Sequence, residues 1–86
     1  MKIKEIQKRN YRATVKRGQI TKKTNFYDFL RKIHEEVQEL YDCYIHTGNV
    51  DPLELADIIL VCMSLAKHNK IDIDKELRKQ VKIGRN

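Results

Sequence analysis

Residues 25–68 read NFYDFLRKIHEEVQELYDCYIHTGNVDPLELADIILVCMSLAKH, and this stretch decides the fold. Phe26, Phe29, Leu30, Ile33, Val37, Leu40, Tyr41 and Tyr44 recur at three- and four-residue steps, which predicts one helix from about Asn25 to His46 with a single buried face. Thr47 to Pro52 then supplies a helix stop at Gly48, a short loop, an N-cap acid at Asp51 and a proline at the first position of the next helix. That helix, Leu53 to His68, is apolar nearly all round from Ile58 to Ala66, and such a surface needs cover on every side.

Outward from this hairpin the reading stays helical. Met1 to Gly18 is expected as a helix of poor apolar periodicity and broad basic face, ended by Gly18, and Thr24 or Asn25 is expected to cap its successor. Asp72 or Asp74 opens a final basic helix with Ile73, Leu77 and Val81 on one side. One proline and three glycines are too few punctuators for a strand-and-turn pattern. The expectation is an all-α single domain over residues 1–86, a short bundle of three to four helices completed by oligomerisation. An 86-residue chain can hardly enclose the third helix alone. No apolar run marks a signal peptide or membrane span near the N-terminus, so a cytoplasmic location is expected. Cys43 and Cys62 share no metal-binding spacing and are expected as reduced, buried thiols.

The net charge of +6 hides a sharp segregation. Residues 1–34 carry +9, residues 35–57 carry −7 with no Lys or Arg at all, and residues 58–86 carry +4. Within the acidic segment, Glu35-Glu36-x-x-Glu39 and Glu54-x-x-Asp57 both have i, i+3 spacing, which sets two carboxylates about 5–6 Å apart on one helix flank. Glu36 and Glu39 border the apolar face of their helix, and Glu54 and Asp57 share a strip with Val61, Ser64 and His68. Two such helices packed antiparallel would face four carboxylates at one another. Crowded carboxylates repel unless protonated or neutralised by a hard divalent cation such as Mg²⁺, whose retained waters phosphate oxygens can replace. Taken singly, each acid is better explained as a cap or a solvated charge.

This two-part acidic motif, with its context Ile33-His34-Glu35-Glu36-Val37-Gln38-Glu39-Leu40, Leu55-Ala56-Asp57-Ile58 and Lys70-Ile71-Asp72-Ile73-Asp74, resembles the MazG-like and all-α dimeric dUTPase-like nucleotide pyrophosphohydrolases across roughly residues 25–82. The resemblance implies hydrolysis of nucleoside triphosphates to monophosphate and pyrophosphate, with Mg²⁺, or Mn²⁺ in its place, held by Glu36, Glu39, Glu54 and Asp57. It also implies a catalytic role for Glu35 in orienting or deprotonating water, with an exposed helix residue as the alternative. Lys32 matches a basic position the family sets near phosphates, and a simple i, i+4 ion pair explains it as well. The family's C-terminal Lys, Asn and Arg series is matched only loosely by Lys79, Lys82 and Arg85, which a solvated helix end also accounts for. Two rival classes remain in view: a small basic helical nucleic-acid-binding protein, which explains the cationic ends but not the acidic middle, and a non-catalytic helical oligomer.

Overall fold

The computed structural model describes residues 1–84 as four helices and no strand: α1 (Ile3–Lys16), α2 (Phe26–Thr47), α3 (Pro52–His68) and α4 (Ile73–Lys82). Arg85 and Asn86 lie outside the described residues.

Local chemistry sets the boundaries. Asn25 opens α2 through a capping box in which its side chain accepts from the Asp28 N–H at 3.1 Å, while the Asp28 carboxylate accepts from the Asn25 N–H at 2.8 Å. Gly48 closes α2 in the left-handed region at φ 72°, its N–H on the Tyr44 carbonyl at 2.8 Å. Asp51 accepts from the Leu53 N–H at 2.9 Å and Pro52 takes the first helical position of α3. Asp72 caps α4 by accepting from the Lys75 N–H, and this bond holds its carboxyl below the usual range.

The α3 helix is the hub: α2 and α1 both pack against it, and α4 touches both α1 and α3. Few side chains close into a core. Ile20, Phe29, Met63 and Ala66 are the buried apolar residues among those described, whereas Phe26, Tyr27, Val37, Tyr41, Tyr44, Leu53, Leu55 and Ile59 stay exposed. The periodic stripe of α2 is therefore only half used within one chain, and its aromatic residues, expected in the core, lie mostly outside it. The same holds for α4, where Leu77 and Val81 are exposed. Cys43 is half-buried and Cys62 exposed, which corrects their expected burial.

The dimensions agree with this open packing. A compact 86-residue domain has a radius of gyration of about 12 Å, against 14.1 Å here. A folded monomer of 10.3 kDa exposes about 5,400 Å², against 6996 Å² here. The surplus is about 1,600 Å². No helix among the described residues is long and apolar enough to cross a membrane.

Candidate metal centre and cleft

Gly48 and Pro52 turn α3 back against α2, and the hairpin brings Glu36, Glu54 and Asp57 together with one oxygen of each within 4.8 Å of the others. Glu36 is 5% exposed. Its Oε1 accepts from the Lys32 ammonium at 3.0 Å, and this bond raises the lysine's affinity for its proton. Its Oε2 is out of solvent with no hydrogen-bond partner among the described residues, and so is Oε2 of Glu54. Two donor-less carboxylate oxygens turned away from water are costly to keep ionised. Accordingly Glu54 is pushed up to about 7, first by burial, then by the neighbouring carboxyls of Glu36 and Glu39. Glu39 thus borders the cluster through Glu54, although its own side chain is exposed.

A hard cation fits this donor set. All the ligating atoms on offer are carboxylate oxygens, and their spread of at most 4.8 Å is close to the about 4.2 Å spanned by two opposed Mg²⁺–oxygen bonds. A soft metal would find neither thiolate nor imidazole in the group.

The cluster opens onto a cleft of about 590 Å³ walled by α1, the segment joining α1 to α2, α2 and α3. Glu36 and Asp57 stand in its wall beside Lys32, and Arg17 brings a second cation from the end of α1. Phe29, Ile20, Leu60 and Val61 line its apolar part, and Asn10, Thr14, Thr24 and Ser64 its polar part. The volume lies within the range of small-ligand sites.

The contribution of α1 is not evident from the apolar pattern, because α1 docks through polar side chains. Gln7, its one buried residue, donates to the Met63 carbonyl at 3.1 Å. Asn10 donates to the Leu60 carbonyl at 3.0 Å and to Ser64 Oγ at 2.7 Å. Tyr11 meets His68 Nδ1 at 2.7 Å, while His68 Nε2 meets the Thr24 carbonyl at 2.9 Å. A carbonyl only accepts, so Nε2 carries the proton and Nδ1 receives the tyrosine's. One imidazole thus ties α1, α3 and the segment before α2. The signal for this wall lay in the inward polar series Gln7, Asn10 and Thr14, at steps of three and four.

The remaining candidates scatter. Glu35 is exposed, 3.9 Å from Lys32 Nζ, and forms no part of the cleft wall. Lys79 pairs with Glu76 at 3.4 Å and Lys82 is exposed; neither lines the cleft. Arg85 falls outside the described residues. No family model, curated protein or solved structure matches the chain.

Proposed function

We propose that this protein hydrolyses nucleoside triphosphates to monophosphate and pyrophosphate, using Mg²⁺ held by Glu36, Glu54 and Asp57 with Glu39 at the edge of the set. The observation that carries the reading is the Glu36 carboxylate. It is almost fully buried, satisfied on one oxygen by Lys32 and left without a donor on the other, beside two further acids. A cluster kept only for folding would be served better by a neutral pair or an apolar contact.

When bound, the cation neutralises the carboxylates and polarises the phosphate under attack. The chain's own residues do the rest. Lys32, held in place by its contact with Glu36, and Arg17 give the cleft two cations to orient phosphate oxygens, a role for which they are better placed than Lys79 or Lys82. Phe29, Ile20, Leu60 and Val61 offer an apolar seat to a nucleoside and keep water from it, and Asn10 offers a hydrogen bond. Glu35, in solvent beside Lys32 and outside the cleft wall, keeps the role of an exposed helix residue in this reading. The cytoplasmic nucleotide pool would be the source of substrate.

The working unit in this proposal is a homo-oligomer, a dimer or tetramer. Its support is the surplus surface together with exposed Val37, Tyr41 and Tyr44 on α2 and Leu55 and Ile59 on α3. A standard interface removes about 800 Å² from each partner, so the surplus of about 1,600 Å² leaves room for one or two such contacts.

The test is pyrophosphate release with Mg²⁺ across canonical and damaged nucleoside triphosphates, with Glu39→Gln and Glu36→Gln as blanks. Release abolished in both variants supports the proposal. Absence of release from every nucleotide, together with no Mg²⁺-dependent rise in melting temperature, overturns it.

A further inference from the structure

The basic N-terminal segment is left unexplained by the cleft, and the fold sets most of it elsewhere. Lys4, Lys8, Arg12 and Lys16 follow one another at four-residue steps along α1, with Arg9 beside them and Lys2 at the N-cap. At about 100° per residue, Lys2, Lys8, Arg9, Arg12 and Lys16 form a ridge centred roughly 165° from Gln7, Asn10 and Thr14, the residues that face α3 and the cleft. All five are exposed. Among the described residues, Lys4 is the α1 cation that forms an ion pair, on Asp72 at 3.4 Å, and Glu5 is the sole acid along the ridge.

Cations at i, i+4 repel, so the arrangement works against the helix that carries it unless a polyanion lies alongside. The substrate cleft cannot supply that polyanion, since it opens on the opposite side of α1. From Lys2 to Lys16 the ridge runs about 21 Å, enough to meet several phosphates in a row. It offers no aromatic side chain on which bases could stack, because Tyr11, the aromatic residue of α1, is held by His68. Nor does it offer an apolar face to sink into a membrane: Val15 is the one exposed large apolar side chain of the helix, and the rest of its apolar side packs inward.

We infer that the outer face of α1 binds the phosphate backbone of duplex nucleic acid, without sequence preference, as an activity separate from the cleft and independent of the metal reading. The acidic segment on α2 and α3 would repel the same backbone, so the charge segregation also sets the orientation of docking.

Fluorescence anisotropy of the full chain with a labelled duplex of arbitrary sequence tests this. With four to five phosphates neutralised, log affinity should fall with log salt at a slope of about −4, or roughly two orders of magnitude between 50 and 200 mM NaCl. The variant Lys8→Gln/Arg12→Gln/Lys16→Gln should lower that slope to about −1 to −2. A control with the same change in charge, Lys67→Gln/Lys70→Gln/Lys75→Gln, should leave it near the wild-type value. Glutamine is a good helix former and relieves the repulsion, and circular dichroism of both variants verifies the fold. Equal loss in both variants would show bulk charge rather than a site and overturn the inference. So would absence of duplex binding at 50 mM NaCl, tighter binding to single strands, or ridge-dependent capture by phosphatidylserine vesicles in place of the duplex.

Discussion

Binding of Mg²⁺ should expel a proton from Glu54, and the amount follows from its titration near 7 in place of the ordinary 4.5. A group with that midpoint is about 90% protonated at pH 6, half at pH 7 and about 10% at pH 8. The ion takes the carboxylate, so binding should release about 0.9, 0.5 and 0.1 proton at these pH values, and apparent affinity should be about ten-fold weaker at pH 6 than at pH 8. The metal-free protein should show the converse dependence in its stability. Below about pH 4.5 the folded and unfolded chains both hold the proton. Between 4.5 and 7 only the folded chain does, so stability falls as pH rises through that window and levels off above it. Titration calorimetry at the three pH values, in two buffers of different ionisation enthalpy, measures the protons directly. Glu54→Gln should remove the dependence while leaving the fold intact. Mg²⁺ binding with no proton release at pH 6 and equal affinity at pH 6 and 8 would refute the reasoning.

Asp57→Asn and Glu54→Gln should leave the metal-free melting temperature unchanged or raised, because repulsion is relieved, while Mg²⁺ no longer raises it; lower melting in both would mark the acids as structural. Glu36→Gln differs, since it also gives up the ion pair with Lys32 at 3.0 Å, a loss to set against that relief. Tyr11→Phe should cost about 1 kcal/mol by removing the donor to His68, read as a lower urea midpoint at unchanged m-value; no change would mean that the bond contributes nothing. Sedimentation of the wild type at micromolar concentration should give a dimer or tetramer, and Tyr41→Glu should dissociate it. A monodisperse wild-type monomer would remove the oligomer from the proposal.

The helix boundaries were legible because they are local chemistry: Asn25, Gly48, Asp51 with Pro52, and Asp72 each act within a few residues of where they stand. The pairing of Glu36 with Glu54 and Asp57 was legible for a related reason, since i, i+3 spacing on two helices joined by a short turn leaves few ways to pack them. Periodicity states that Val37, Tyr41 and Tyr44 share a face, but it does not say whether the same chain covers that face, and here the chain leaves it bare. The exposure of Cys62 has the same cause. The role of α1 escaped because hydrogen bonds from Gln7 and Asn10 to carbonyls more than fifty residues away leave no apolar periodicity behind. Lys79 and Lys82 are placed by the direction of α4, which depends on its packing against α1 and α3 and not on any residue of its own.

The polar docking of α1 has a mechanical consequence. An apolar seam between helices permits sliding, because one methyl group can replace another after a shift of one turn, about 5.4 Å. Gln7, Asn10 and Tyr11 instead engage individual acceptors on Met63, Leu60, Ser64 and His68, and none of these bonds survives such a shift. The helix is indexed on α3 as a key is on its wards, both along its axis and in rotation. A chain with so small a core thereby keeps one wall of its cleft in register, so that the gap between Arg17 and the carboxylates of α2 and α3 has a set width.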